Sequence, residues 1–352
     1  MESPANNNEI QVLAEYVWLD GNDGMRSKIK IFTSLDATIT LASFPLWNFD
    51  GSSTGQSHTK SSDLVLRPIY FCINPLTRSG LSREYLVMCE VVGHPTNTYQ
   101  NLLPIYEATK NQDAWFGIEQ EYILLDLQGK LYNDEKFNRY GRDLKSNEYY
   151  CSVGTGRAIA RPIALEHMRC CLIAGLTIGG INSEVTPAQW EFQIGPLDAL
   201  TVSHQLWLAR YILIQIAEKY DAVVSFHPKP FKFLNGSGAH TNFSTKSMRE
   251  TGGLAVIKSA IHKLSLRHSD HIEVYGNNNR QRLTGTNETS NYETFSYGNC
   301  DRTSSIRIPV NVVADGCGYL EERRPAANCD PYQVCRMILK TTCLDNFDGG
   351  DE

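Results

Sequence analysis

The chain has 352 residues, with 33 Lys and Arg against 39 Asp and Glu, a formal charge of −6, and 41% hydrophobic residues. At roughly 150 residues per domain that length suggests about two domains with full cores, and the composition excludes low complexity, collagen-like repetition and wholesale disorder. The mildly acidic balance argues against nucleic-acid binding, which needs clustered Lys and Arg, and the longest nearly apolar run, Cys170 to Ile181, falls short of the roughly 20 residues a membrane span needs.

The opening MESPANNNEIQ holds no apolar segment, so no secretory signal is expected. Ten scattered cysteines without a CxxC pair then read as free thiols of a reducing compartment, and the expected location is the cytoplasm. Short β-rich runs follow: Ala14 to Leu19, Lys28 to Phe32, Leu64 to Pro68 and Tyr85 to Val92, separated by turn-rich stretches at Asp20 to Gly24 and Asp50 to Ser57. They suggest a small, mostly antiparallel sheet domain over residues 1–100. The polar stretch Gly93 to Gln100 separates it from a second domain, residues 101–352. Strands are expected there at Trp115 to Asp126, Val185 to Ile194, His240 to Ser244 and Ser305 to Pro309, and helices at Arg161 to Leu176, Leu197 to Tyr220, Gly253 to His268 and Pro331 to Cys343. The last helix opens with Asp330-Pro331, an N-cap acid followed by proline at the first helical position. Residues 127–149 read as a charged loop, and Asp345 to Glu352 as an acidic, frayed tail. Helices interleaved with strands place the chain in the α+β class, a sheet covered by helices.

Polar residues inside strands carry information, because alternation fixes which side chains share a face. Glu119 and Glu121 are two apart in Phe116-Gly-Ile-Glu119-Gln-Glu121-Tyr, and Glu191 sits opposite the apolar set Trp190, Phe192 and Ile194. Further on come Glu184, Asn235-Gly-Ser-Gly-Ala-His240 and Gly318-Tyr-Leu-Glu321-Glu-Arg323-Arg. Carboxylates with one histidine suit Mg²⁺ or Mn²⁺, hard ions that prefer oxygen. Any one of these glutamates could be a solvated strand face, but the set lies among Trp, Phe and Ile, where an unpaired charge is costly. Arg282, Arg302, Arg307 and Arg323 gather in the last quarter of the chain, and the arginine fork suits carboxylate and phosphate oxygens. Divalent metal with arginine points to phosphoryl chemistry; there is no GxxxxGK[ST] phosphate loop and no dinucleotide fingerprint at Gly154-Thr-Gly156. His262, His268 and His271 fall on a helix end and are expected to be solvated.

Seven blocks together resemble the glutamine synthetase family, eukaryotic-type (type II) branch: Trp47-Asn-Phe-Asp50-Gly-Ser-Ser-Thr, Trp115-Phe-Gly-Ile-Glu119-Gln-Glu121-Tyr, Pro187-Ala-Gln-Trp-Glu191-Phe-Gln-Ile-Gly-Pro, Asn235-Gly-Ser-Gly-Ala-His240-Thr-Asn-Phe-Ser-Thr-Lys, Arg282-Leu-Thr-Gly-Thr-Asn-Glu288-Thr-Ser, Ser305-Ile-Arg307-Ile-Pro and Glu321-Glu-Arg323-Arg-Pro-Ala-Ala-Asn-Cys-Asp330-Pro. The resemblance implies a β-grasp-like amino-terminal domain, a catalytic domain on a curved antiparallel sheet, and stacked rings (a decamer) with active sites between subunits. It implies ATP-dependent ligation of ammonium to L-glutamate with two or three Mg²⁺ or Mn²⁺ per site. By position, Glu121, Glu184 and Glu191 would hold one ion; Glu119, His240 and Glu321 would hold another. Asn235, Gly236, Arg282, Arg302, Arg323 and Asp63 would meet substrate, and Glu119, Glu191, Asn242, Ser244, Arg302, Arg307 and Tyr319 would meet ATP. Asp50 of a neighbouring subunit would bind ammonium and take its proton, and Glu288 would close the site, with Arg302 and Arg307 on the transferring phosphoryl group. The chain departs from the family pattern in the charged stretch Gly129 to Glu148, at His227 where aspartate is common, and at Phe233-Leu234. Two rivals are a sister ligase for a larger amine and a catalytically inert ring protein; the intact ligand set argues against the second.

Overall fold

The computed structural model describes residues 10–36, 38–77, 83–95, 98–133 and 148–345. The first nine residues, two of the expected linker (96–97), most of the expected charged loop (134–147) and the acidic tail beyond Asp345 lie outside the described residues.

Strands β1 (Ile10–Leu19), β2 (Met25–Ser34), β3 (Trp47–Asp50), β4 (Asp63–Ile73) and β5 (Arg83–Val91) form one sheet in the order β2-β1-β5-β4-β3. Its pairs are antiparallel except the central β1–β5 pair, which is parallel. Strands β6 (Trp115–Leu125), β7 (Ile178–Ser183), β8 (Gln189–Leu197), β9 (Val223–Ser225), β10 (Ala239–Ser244), β11 (Tyr297–Asn299), β12 (Ile306–Ile308) and β13 (Leu320–Glu322) form the second, in the order β11-β12-β13-β10-β6-β8-β7, with β9 added on β6. Only β11–β12 runs parallel there. Helices α1 (Thr98–Thr109), α2 (Arg161–Ile173), α3 (Ala199–Glu218), α4 (Gly253–Leu266) and α5 (Pro331–Leu339) accompany this sheet.

Strand alternation on β1 feeds two cores. Tyr16 and Trp18 enter a small core with Phe44, Phe49 and Val87, whereas Val17 and Leu19 join the large core of the second sheet and its helices. Helix α3 is buried around most of its surface, as befits a central helix, and starts where the Asp198 carboxylate accepts from the Leu200 and Thr201 amides. Helix α5 opens as its sequence predicts: the Asp330 carboxylate accepts from the Tyr332 amide at 3.1 Å, with Pro331 in the first turn. No helix among the described residues is long and apolar enough to cross a membrane.

Three expectations change. The linker runs directly into α1, which carries Pro104 inside it, a residue that ordinarily ends helices. The strand expected from Val185 begins only at Gln189, because Pro187 and the left-handed Ala188 (φ 57°) make 184–188 a turn. His271 is buried and His268 half-buried, although His262 is exposed as expected. His271 is buried between the Tyr275 hydroxyl at 2.5 Å and Thr341 Oγ1 at 2.9 Å, and His268 Nδ1 lies 2.9 Å from Arg324. Burial pushes both imidazoles below their usual pKa.

Those histidines flank a fully buried ion pair. Arg324 donates through Nε to Glu322 Oε1 at 2.8 Å and through Nη2 to Oε2 at 2.5 Å, and the Tyr275 hydroxyl donates to the same carboxylate. Breaking a buried pair from one side costs about 3–5 kcal/mol, whereas replacing both partners with apolar groups is often neutral. Glu322→Ala should therefore lower the unfolding free energy read from urea titration by an amount in that range, and the double variant Glu322→Leu/Arg324→Met should recover most of it. A single variant within about 1 kcal/mol of the parent would show that the pair is solvated in solution.

Candidate active site

Four adjacent strands place the polar residues. Glu119 and Glu121 alternate onto one face of β6; β10 pairs so that His240 lies opposite Glu119, and β8 so that Glu191 lies opposite Glu121. On β13, Glu321 sits opposite Asn242 of β10 and Arg307 of β12. Glu184 comes from the turn between β7 and β8, closed by its amide donating to the Gln189 carbonyl at 2.9 Å. The five glutamates and His240 line a cavity of about 550 Å³ together with Arg282, Arg302, Arg307 and Arg323.

The carboxylates fall into two clusters, Glu119–His240–Glu321 and Glu121–Glu184–Glu191, each with candidate ligand atoms within 4.8 Å of one another. In the first, Glu321 is held between Arg307 and Arg323, each donating at 2.6 Å, while Asn242 donates to Glu119 at 2.8 Å. His240 Nδ1 lies 3.5 Å from Glu119 and 3.8 Å from Glu321. Burial, reinforced by Arg323, holds His240 well below its usual pKa, so it is a neutral imidazole able to ligate. In the second cluster burial, with neighbouring carboxylates behind it, raises Glu184 to about 8 and Glu191 to about 9; burial raises Glu121 to about 7, held back by Arg282, the Gly238 amide and Arg323. Gly238 donates its amide to Glu121 at 2.5 Å, and Asn182 donates to Glu184 at 2.8 Å. Gln193 donates to Glu191 and to Asn182.

Five buried or half-buried carboxylates within reach of one another make a donor set that fits hard divalent cations. All but one of the six donors offers oxygen, and none is a thiolate, which disfavours zinc.

The cationic wall is built with equal care for space. Arg282 is buried, donating to the Arg323 and Arg324 carbonyls at 2.9 and 3.2 Å and lying 3.1 Å from His240 Nε2. A Cβ at Gly238 would come within 2.4 Å of the Arg282 guanidinium and 2.9 Å of His240, so only glycine admits both. Loop 284–291 closes on a Thr284–Asn291 bridge and turns through two successive left-handed residues, Asn287 (φ 54°) and Glu288 (φ 59°). That turn brings Glu288 to the cavity lining, its carbonyl accepting from Arg323 at 3.3 Å.

A second cavity of about 360 Å³ adjoins the first and shares Glu119 and Gln193 with it. Its lining is more apolar, with Trp115, Ile118 and Phe243, and it holds Asn242, Ser244 and Tyr319. The remaining expected site residues, Asn235 and Gly236, line the first cavity. Asp50 and Asp63 line neither cavity; they face one another across the β3–β4 edge of the amino-terminal sheet. Asp50 is exposed, and the Ser52 and Ser53 hydroxyls, each donating at 2.6 Å, hold its carboxyl below the usual range.

Sequence reasoning missed Tyr150, Asn182, Gln189 and Gln193, which also line the first cavity. Gln189 and Gln193 could have been found, since each lies two residues from Glu191 and so shares its face. Asn182 lies on a strand, Ile-Gly-Gly-Ile-Asn-Ser, whose glycines conceal it: a Cβ at Gly180 would meet Gln193 Oε1 at 2.5 Å.

Comparison with known proteins follows the same lines. The family profile described as "Glutamine synthetase, catalytic domain" matches residues 93–343. The chain is 47% identical to a glutamine synthetase of Tuber borchii over 336 residues, spanning 94% of this chain and 92% of that protein. It is 45% identical to a glutamine synthetase of Candida glabrata over 348 residues, spanning 97% and 91%. In fold it resembles a glutamine synthetase of Plasmodium falciparum seen by cryo-electron microscopy, with a TM-score of 0.72 at 17% identity over 96% of this chain and 73% of that one.

The raised carboxyl values set a pH dependence. A carboxyl whose folded pKa lies above its unfolded value binds more protons when folded, so its contribution to stability is full at low pH and is lost as pH rises towards the folded value. Without divalent metal, the second cluster should therefore lower the melting temperature progressively between about pH 5 and pH 9. Added Mn²⁺ should restore it, by an increment that grows over the same range as protons cease to compete. Thermal melts with EDTA or Mn²⁺ across that range test this; a metal increment independent of pH would contradict the cluster's assignment.

Proposed function

The chain belongs to the glutamine synthetase family, and from that premise we propose how its two joined cavities divide the labour of the family reaction. The protein is a glutamate–ammonia ligase: it joins ammonia to the γ-carboxylate of L-glutamate through a γ-glutamyl phosphate, using ATP and divalent metal and yielding L-glutamine, ADP and phosphate. The observation that carries the proposal is two oxygen-rich clusters facing four arginines across one cavity.

A carboxylate resists attack by an amine until one oxygen becomes a leaving group, and ATP supplies the phosphoryl group that does this. Asn235 and Gly236 would meet the glutamate backbone groups, with Arg282 and Arg323 opposite its carboxylates. Arg302 and Arg307 would face the transferring phosphoryl oxygens. Arg307 and Arg323 each keep a buried Nε–H without a protein partner, donors suited to an anion. Glu119, His240 and Glu321 would hold one ion and Glu121, Glu184 and Glu191 another, Mg²⁺ or Mn²⁺, two or three per site. Bound there, such ions neutralise phosphoryl and carboxylate charge. Asn242, Ser244 and Tyr319 would receive the nucleotide in the second cavity, whose apolar lining suits a base.

The acyl phosphate must be kept from water, and Glu288 on loop 284–291 is placed to cover it. Ammonium needs an anion to hold it and a base to take its proton. Asp50, with Asp63 beside it, would supply both from a neighbouring subunit, since it is exposed, its carboxyl is held below the usual range, and it lies outside this chain's own cavity. That arrangement calls for a homo-oligomer of stacked rings, a decamer, with residues 1–100 as the amino-terminal domain and 101–352 as the catalytic domain. Ten unpaired cysteines suit the reducing cytoplasm.

The test follows glutamine and phosphate together with L-glutamate, Mg²⁺-ATP and either ammonium, methylamine or a longer amine. One-to-one product with ammonium preferred is expected; a preference for a larger amine would keep the ligase chemistry and replace the co-substrate. Glu288→Ala should release phosphate in excess of glutamine, and unchanged coupling would remove it from the closing role. Asp50→Ala should raise the ammonium KM by tenfold or more, about 1.4 kcal/mol for one lost charge contact. A normal ammonium response would return the ammonium site to the carboxylates of a single subunit.

A further inference from the structure

Gln189 is a cavity residue with no part in the scheme above, yet it touches both halves of it. The side chain is 1% exposed. Its Nε2 donates to the Gly236 carbonyl at 2.9 Å and to Ser237 Oγ at 3.2 Å, while Oε1 accepts from the Thr186 amide at 3.3 Å. The orientation of the amide is dictated by its partners, because a carbonyl can only accept and a backbone amide can only donate. Its own backbone carbonyl accepts from the Glu184 amide at 2.9 Å, and its amide donates to the Thr186 carbonyl at 3.1 Å. One residue thus closes the turn that presents Glu184 and reaches across the cavity to the loop that presents Asn235 and Gly236.

That loop has little room to move away. The Ser237 amide donates to the Pro228 carbonyl at 2.9 Å, and a Cβ at Gly236 would come within 2.3 Å of the same oxygen. Gly236 is therefore wedged between Pro228 on one side and Gln189 on the other. A shift of the 184–189 turn of a few tenths of an ångström is passed to the Gly236 carbonyl through a rigid, buried amide.

We propose that Gln189 is a positioning residue that couples divalent-cation binding at Glu121–Glu184–Glu191 to glutamate binding at Asn235 and Gly236. The inference rests on the assignment of those two ligands in the preceding subsection. Drawing Glu184 inward onto a cation sets the turn, Gln189 carries that setting to the amino-acid loop, and the loop gains affinity for glutamate. By linkage glutamate must tighten the cation by the same factor.

Two uncharged variants test the link. Gln189→Met keeps the volume and loses every hydrogen bond of the amide. Gln189→Leu likewise leaves the buried Gly236 carbonyl unpaired and, like Met, adds no charge beside the carboxylate cluster. The readout is Mn²⁺ affinity, followed by the paramagnetic resonance of free Mn²⁺ with and without saturating L-glutamate, alongside steady-state KM values. In the parent protein glutamate should tighten Mn²⁺ by about fivefold or more, the lower range of measured couplings. In both variants Mn²⁺ affinity without glutamate should stay within about threefold of the parent, which also shows that the site is folded. The tightening by glutamate should fall below twofold. The KM for glutamate should rise about tenfold with the KM for ATP unchanged, the effect of one unpaired buried carbonyl.

Full coupling retained in both variants would overturn the proposal, since glutamate would then meet the cation directly. Loss of Mn²⁺ affinity already without glutamate would also overturn it, reducing Gln189 to a brace of the turn. A parent protein whose Mn²⁺ affinity ignores glutamate would instead break the ligand assignment beneath it, and the inference would fall with that assignment.

Discussion

Everything in this site is arranged around the mutual repulsion of its carboxylates. Two unit charges 4.8 Å apart, the outer limit within each cluster, repel by about 3 kcal/mol at an effective dielectric of about 20. A cavity holding five such groups cannot rely on its lining to stay assembled. The lining must be clamped from behind, and the charge must be offset from in front.

The clamp is visible one residue away from each ligand. Between Glu119 and Glu121, Gln120 points into the core, where its carbonyl oxygen accepts from Arg210 at 2.6 and 2.9 Å and Arg210 reaches on to the Cys329 and Ala327 carbonyls. Next to Glu321, Glu322 points the other way into its pair with Arg324. Alternation thus gives β6 and β13 two polar faces each, one for the cavity and one for anchorage. It also forbids slippage: a one-residue shift of β6 or β13 would carry the anchors into the cavity and the ligands into the core. Front-side compensation comes from Arg307 and Arg323, which ion-pair with Glu321, whereas among the described residues no carboxylate of the second cluster has such a pair, only the field of Arg282 and Arg323 and the Gly238 amide acting on Glu121. The second cluster is accordingly the one whose carboxyls are driven up in pKa.

Much of this was legible in the sequence because strand alternation is a local code. Glu119 with Glu121, and Glu191 among Trp190 and Phe192, announce a polar face inside apolar strands, and the six candidate ligands lie in two groups of three. Helices with clear caps, such as Asp330-Pro331, were equally plain. What stayed hidden depends on contacts distant in sequence. The Pro104 helix survives through packing that no local pattern encodes. Strand β7 has no counterpart among the expected elements, because its glycines break the pattern and their reason, the Gln193 side chain crossing Gly180, lies on another strand. His268 and His271 look like a solvated helix end, since the partners that bury them, Tyr275, Arg324 and Thr341, arrive from other segments.

The pairing of the two cavities explains why the shared wall is Glu119 rather than an apolar residue. ATP is amphiphilic, with an aromatic base at one end and a polyanion at the other, and its acceptor here is a small amino acid with two carboxylates. A single uniform pocket would suit neither partner. An apolar chamber lined by Trp115, Ile118 and Phe243 and a charged one lined by arginine and carboxylate sort the two ends by desolvation cost alone. On the proposed assignment the phosphates would lie where the chambers meet, and the residues at that junction are Glu119 and Gln193. Glu119 belongs to the Arg-clamped cluster, and Gln193 donates to Glu191 of the other. Phosphoryl transfer across that junction would then fall between the two carboxylate clusters, where added positive charge relieves the most repulsion.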